Sequence, residues 1–168
     1  FDALTSNRNA PKVPIVDTPF AGCDGKLDVT TRGSNLSSLE ILQAFRLQYQ
    51  DRAYSSFTPE LRRAILRAAQ SLPEDAFDTD ACRTLCLDFL RSGHGVYHAL
   101  KAMNELGVLG KLVPPWQRII GQMQHDLFHV YTVDQHILMV LRNMRRFADP
   151  AHSHEYPLCS ELMQDFPE

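Results

Sequence analysis

Signals that start helices recur along this chain, and they constrain its fold more than any other feature. Ser37 and Glu40 have the spacing of a capping box, in which each side chain satisfies the other's free backbone N–H group. Thr132 and Gln135 repeat that spacing, and Thr58 precedes a proline suited to a first helical turn. Apolar residues then recur at helical spacing, and no stretch alternates as a half-buried strand does. We therefore expect an all-α helical bundle with little or no sheet.

The same signals predict where the helices begin and end. Residues 1–35 are expected to form an irregular N-terminal arm with one short extended piece near residues 26–30, because prolines and glycines interrupt them. Helices are predicted at 37–51, 59–71, 79–91, 96–106 and 132–148, and a helical turn near 158–164. The side chains expected to face inward are Leu39, Leu42, Phe45, Arg46 (the polar exception) and Tyr49; Leu61, Ile65, Ala68 and Leu72; Leu85, Phe89 and Leu90; Val96, Ala99, Leu100, Met103 and Leu106; and Val133, Ile137, Val140, Leu141, Met144 and Ala148.

Composition excludes several classes of protein. A hydrophobic fraction of 44% and a charged fraction of 22% are ordinary for a globular domain. The net charge of −3 does not suggest a nucleic-acid surface. The sequence contains no long apolar run and no signal peptide at its start, so we expect no membrane partner. Cys82 and Cys86 share a helical face but form no metal pattern, and we interpret them as small buried residues of a reduced, cytoplasmic protein.

The stretch from residue 121 to 136 is unusually rich in histidine and aspartate. It contains the runs Gly-Gln-Met-Gln at 121–124, Asp-Leu-Phe-His at 126–129 and Tyr-Thr-Val-Asp at 131–134, followed by His136. These runs resemble the bacterial PII uridylyltransferase/uridylyl-removing enzymes, a bifunctional, glutamine-sensing family. The resemblance extends over roughly residues 36–160, through a Met-x-x-x-x-Val-Leu-Gly element at 103–110 and a Pro-Trp pair at 115–116.

The resemblance implies a domain organisation and a metal site. Residues 1–35 would be the tail of a nucleotidyltransferase domain, 36–120 a helical linker domain, and 121–168 the truncated start of an HD phosphohydrolase domain. An HD site holds its metal with a histidine, a later His-Asp doublet and a further aspartate. His136 matches the first ligand, and no His-Asp doublet follows it. The chain is therefore expected to be a piece of a larger enzyme.

The other histidine-rich positions are given weaker roles. The doublet of His125 and Asp126 precedes His136, a place that is not a ligand position in the family pattern. We expect His125, Asp126 and His129 to support the site by hydrogen bonding, and a metal pair of His125 and His129 would need a helix there. His152 and His154 are expected to be solvated, and His94 and His98 are expected to lack a preformed metal site. Arg142, Arg145 and Arg146 are expected to form a solvated helix face, with guidance of a phosphate group as the alternative.

The family's activity is implied for the parent enzyme only. Such an enzyme adds UMP from UTP to a tyrosine of the PII signal protein, hydrolyses it off again, and responds to glutamine. Mg²⁺ or Mn²⁺ would serve the parent, and none is expected to bind tightly here. Both catalytic constellations are incomplete in this chain, so it should be inactive alone. Two alternatives remain: a helical interaction module without chemistry, and the related glutamine synthetase adenylyltransferase, which lacks the HD domain.

Overall fold

The computed structural model describes residues 11–30, 35–50, 52–123 and 131–165. The chain divides into two compact units, the first ending at Pro114 and the second beginning at Pro115. No helix among the described residues is both long and apolar enough to cross a bilayer. The α-helices are α1 (Ser38–Phe45), α2 (Pro59–Ser71), α3 (Asp80–Arg91), α4 (Val96–Glu105), α5 (Leu109–Leu112), α6 (Val133–Ala148) and α7 (Pro157–Gln164). A π-helical segment covers Arg46–Gln50, and 3₁₀ turns cover Pro114–Arg118 and Pro150–His152.

The N-terminal segment is a small antiparallel sheet, so the expectation of an irregular arm and a purely all-α fold is wrong, although the extended piece predicted near residues 26–30 is confirmed as a strand. Strands β1 (Val13–Pro14), β2 (Phe20–Cys23) and β3 (Lys26–Val29) pair in chain order. Asp24 and Gly25, with φ of 51° and 68°, form the two-residue turn between β2 and β3. Asp-Gly is among the strongest hairpin signals, because both turn residues need positive φ.

The hairpin is fixed to the start of α2 by a buried carboxylate. Asp28 is 3% exposed; it accepts hydrogen bonds from the Thr58 hydroxyl at 2.6 Å and from the Val29 N–H at 2.8 Å. Lys12 Nζ lies 2.6 Å from Asp28 Oδ2. Burial raises the pKa of the Asp28 carboxyl, but Lys12, Thr58 and Val29 together hold that pKa below its usual range. Strand β3 and the first turn of α2 are therefore linked through polar as well as apolar contacts.

The helices of the first unit mostly follow the sequence pattern. Ser37 and Glu40 form the predicted capping box, and Thr58 and Thr79 cap α2 and α3. All five residues predicted to face inward from α4 are buried. Leu90 is a wrong prediction because it is exposed, and Cys82 occupies the buried face of α3 instead. Strands and helices of the first unit together form one core, which includes Phe20, Leu27, Ile41, Phe45, Leu61, Ile65, Val96 and Met103.

In the second unit, the apolar face predicted for α6 is largely exposed. Ile137, Val140 and Met144 are all exposed, whereas Leu138 is buried. Helix α6 packs instead against α7 and the 3₁₀ turn at Pro150–His152. The prediction that this apolar face is buried is therefore wrong for the described residues. The hydrophobic period located the helix correctly but did not give the side on which it packs.

Candidate functional site

His136 lies in the first turn of α6, with its side chain exposed. Its backbone N–H donates to the Thr132 carbonyl at 2.9 Å, the first bond of the helix. The sequence places His125, Asp126 and His129 near it in the chain. These three residues lie in 124–130, outside the described residues, so their supporting role stays a prediction. The assignment of His136 as a metal ligand stays a prediction as well.

The start of α6 is held by Asp134, which is 4% exposed. Its Oδ1 accepts a hydrogen bond from the Gly121 N–H at 3.1 Å, and the Val133 N–H donates to the Gln122 carbonyl at 2.9 Å. Gly121 has φ of +71°, a conformation that favours glycine. The sequence pattern indicates Asp134 only as a charge suited to the helix dipole. Its burial makes it a clamp between residues 121–122 and the turn that carries His136.

Thr132 does not cap α6 with its side chain, although its spacing to Gln135 predicted a capping box. Its hydroxyl oxygen is buried and has no hydrogen-bond partner among the described residues. The Asp134 clamp already positions this end of the helix, so α6 starts without the expected cap. An unpaired hydroxyl at this position is available to a group from outside the described residues.

The described residues do not form a complete set of metal ligands. No group of three or more His, Cys, Asp or Glu side chains in the described part of the chain has the arrangement needed to hold an ion. Zinc sites take three or four protein ligands, and Mg²⁺ sites take at least one carboxylate together with several waters. His136 fits a ligand position only in company with groups from beyond the described ranges.

The far end of α6 carries an ion-pair cluster at Arg146, while Arg142 is exposed as expected. Both carboxylate oxygens of Glu155 pair with the guanidinium of Arg146, and His152 Nδ1 lies 2.9 Å from Glu155 Oε1. The hydrogen bond from Arg146, followed by that from His152, holds the pKa of Glu155 below its usual range. The expectation that Arg146 and His152 are simply solvated is therefore wrong. His154 is exposed, as predicted.

The pairs His94 with His98 and Cys82 with Cys86 do not belong to a group of metal ligands among the described residues. His94 and His98 are both exposed, on either side of Gly95. Cys82 is buried, as predicted, and its thiol lies 3.6 Å from the Ser38 hydroxyl oxygen. Cys86 is half-buried, and burial raises the pKa of its thiol, which makes it less reactive.

A basic cleft in the first unit is missed by sequence reasoning. Its cationic residues Arg52, Arg62 and Lys101 come from a loop and two different helices. No contiguous motif joins them, so spacing along the chain gives no signal. The three line one cleft only in the folded chain, where the π-helical segment, α2 and α4 border it.

Comparison with known proteins identifies the family. The model of the uridylyltransferase GlnD third domain matches residues 20–112. The bifunctional uridylyltransferase/uridylyl-removing enzyme of Cupriavidus pinatubonensis is 40% identical over 99% of this chain, and that of Thiobacillus denitrificans is 46% identical over 94%. The enzyme of the same name from Ralstonia nicotianae is 46% identical over 75%.

Those matches cover 19%, 18% and 15% of the respective relatives, so the chain spans less than a fifth of their length. No solved structure matches the chain. The family model covers more than half of the chain and most of the first unit, and the names of these three relatives agree with it. The chain therefore belongs to the uridylyltransferase GlnD third-domain family.

Proposed function

We propose that this chain is part of an enzyme that adds UMP to the PII signal protein and hydrolyses it off again. The observation that carries the proposal is the similarity, over 94–99% of the chain, to relatives named for both activities. UTP would be the UMP donor, and glutamine the effector of the intact enzyme. The described residues contribute a mostly helical first unit and a second unit that begins at Pro115, and neither half-reaction is assigned to this chain alone.

The uridylyl-removing half would use His136 as one ligand of Mg²⁺ or Mn²⁺. Support comes from its exposed side chain on the first turn of α6 and from the Asp134 clamp, which fixes that turn. A ligand must be held in one place before the metal arrives, and a clamped helix start does this. A bound metal would supply an activated water for attack on the phosphodiester.

The test compares two histidine variants in the intact enzyme, with uridylylated PII as substrate. His136→Ala should reduce UMP removal by about a hundredfold or more while leaving UMP addition within about twofold, because a ligand is lost at only one of two sites. His125→Ala is the matched control and should cost removal far less. If His125→Ala abolishes removal and His136→Ala does not, the ligand assignment is wrong.

A second candidate function is an interaction module without chemistry. The exposed apolar side chains of α6, Ile137, Val140 and Met144, favour it, because contiguous exposed apolar surface commonly marks an interface. Purified chain, supplied with UTP, PII and Mg²⁺ or Mn²⁺, should show neither addition nor removal under either candidate. Turnover above background would contradict the interaction module without chemistry and the expected inactivity of the chain alone, but not its membership of the enzyme.

A further inference from the structure

The basic cleft of the first unit has the size of a small-molecule site and is open to solvent. Its volume is about 580 Å³, and ligand sites commonly occupy roughly 300–1,000 Å³. Its walls come from the π-helical segment, the loop at 52–55, and helices α2 and α4. The lining residues that matter here are Gln48, Tyr49, Arg52, Arg62, Lys101 and Glu105.

The charge of the cleft is opposite to that of the chain. The chain has a net charge of −3, yet Arg52, Arg62 and Lys101 face this cleft with Glu105 as the one carboxylate in its described lining. Arg62 Nη2 lies 3.6 Å from Glu105 Oε2, too far for a hydrogen bond, and both side chains are about half exposed. The guanidinium of Arg62 therefore keeps donors for another anion. Clustered cations of this kind favour phosphate groups, which accept several charge-assisted hydrogen bonds.

The wall formed by Tyr49 and α4 is closely packed. Gly95 precedes the first turn of α4, and a Cβ there would lie 2.2 Å from the Tyr49 carbonyl oxygen. The Tyr49 ring packs against Phe45 and Phe57 at centroid distances of 6.2 and 6.1 Å. Burial raises the pKa of the Tyr49 phenol, so it stays a neutral hydrogen-bonding group. A preformed wall lowers the entropic cost of binding.

Gln48 presents a buried hydrogen-bond acceptor, which an anion without a donor group cannot satisfy. Its Oε1 is buried and accepts no hydrogen bond from the described residues, while its Nε2 is 3.5 Å from the Ser55 carbonyl. A buried acceptor without a donor is unfavourable, and a ligand N–H or O–H would relieve it. The cleft thus combines cations for phosphate with an acceptor for a donor on the same ligand.

We infer that this cleft binds a nucleoside phosphate, with its phosphates against Arg52, Arg62 and Lys101 and a hydroxyl or N–H group donating to Gln48. Inorganic polyphosphate shares the contact with the cations but has no sugar or base to donate. The inference goes beyond the proposed function, which assigns no ligand to the first unit. Its test needs neither PII nor turnover, so the inference can fail while the proposed function stands, and the proposed function can fail while the inference stands.

Isothermal titration calorimetry of the full 168-residue chain with UTP, and separately with inorganic triphosphate, tests the inference. UTP should bind more tightly than triphosphate. Arg62→Ala and Lys101→Ala should each weaken UTP binding about tenfold, as expected for one charge-assisted contact. The matched control is Arg67→Ala, an exposed arginine on the same helix as Arg62 but outside the cleft lining; it should change binding less than about twofold.

Glu105→Gln gives a change in the opposite direction, since removing the carboxylate should tighten UTP binding about threefold. Circular dichroism confirms that each variant is folded. The inference is overturned by an absence of UTP binding at millimolar concentration, by triphosphate binding as tightly as UTP, or by equal effects of Arg62→Ala and Arg67→Ala.

Discussion

Both units contain helices with a regular apolar stripe, but the stripe is buried in the first unit and largely exposed in the second. In the first, the apolar stripes of α2 and α4 are buried, with Ile65 and Val96 at 1% exposure or less. In the second, α6 has an equally regular stripe, yet Ile137 and Val140 are 40% and 43% exposed. A stripe shows that a helix is amphipathic, but the partner that covers it is set by the rest of the fold. The apolar residues of α2 and α4 are therefore expected to contribute far more to the stability of this chain than those of α6.

The largest expected effect comes from truncating the same residue type in each unit. Ile65→Ala should lower the free energy of unfolding by about 4 kcal/mol, because it removes a fully buried side chain and leaves a cavity. Ile137→Ala should lower it by less than about 1 kcal/mol, because the side chain is already 40% exposed. Urea unfolding followed by circular dichroism measures both. Equal losses would show that the stripe of α6 is buried after all.

A methyl group added at two glycines tests how tightly the first unit is packed. Gly95→Ala should cost about 3 kcal/mol, because the new Cβ would meet the Tyr49 carbonyl at 2.2 Å and φ is +78°. Gly107→Ala is the matched control: φ is +72°, but nothing lies within 4 Å of the Cβ position. It should cost only about 1 kcal/mol, the conformational term alone. Thermal unfolding separates the two, and similar losses would argue against the close contact.

In the second unit, the Asp134 clamp should matter more than the apolar stripe. Asp134→Ala removes the acceptor for the Gly121 N–H, which should cost about 2 kcal/mol. Hydrogen exchange at the Gly121 amide should become faster. Asp134→Asn keeps an acceptor oxygen and should lose less. Unchanged exchange at Gly121 in the alanine variant would show that the clamp does not hold this turn.

The smallest expected effect is a pH dependence in the first unit. The pKa of Asp28 is lowered in the folded state, so its contribution is present above the unfolded-state pKa of about 3.9. That contribution is lost as the pH falls through the folded-state pKa. Wild type should therefore exceed Asp28→Asn in unfolding free energy by about 1–2 kcal/mol at pH 7, and the gap should narrow below about pH 4. A gap independent of pH would exclude Asp28 ionisation as its source.

Most helices could be predicted from sequence, because caps and apolar period are local signals. Thr58 and its proline place α2 at its observed bounds, and the Ser37–Glu40 box places α1. Of the sheet, the sequence predicts only the extended piece near residues 26–30, because the surrounding prolines and glycines favour irregular chain despite the hairpin signal at Asp24-Gly25. The burial of Asp134 could not be predicted, since it depends on a hydrogen bond to Gly121, 13 positions earlier.

The candidate sites also differ in how far local sequence indicates them. His136 is found by its place in a motif, which is a property of neighbouring residues. The basic cleft is not, because Arg52, Arg62 and Lys101 belong to no contiguous motif and line the same cleft only in the folded chain. Sequence patterns favour sites whose residues are contiguous.

The π-helical segment Arg46–Gln50 has a consequence for how this chain tolerates insertion and deletion. A π turn closes its hydrogen bond one residue later than an α turn, so it rotates the later residues out of phase with α1. Arg46, the first residue of the segment, still donates its N–H to the Leu42 carbonyl as in an α-helix, and it is exposed, so the inward position predicted for it is wrong. A single-residue deletion within this segment would restore the α period and turn Gln48 and Tyr49 away from their present directions. Length at this point of the chain is therefore as constrained as residue identity.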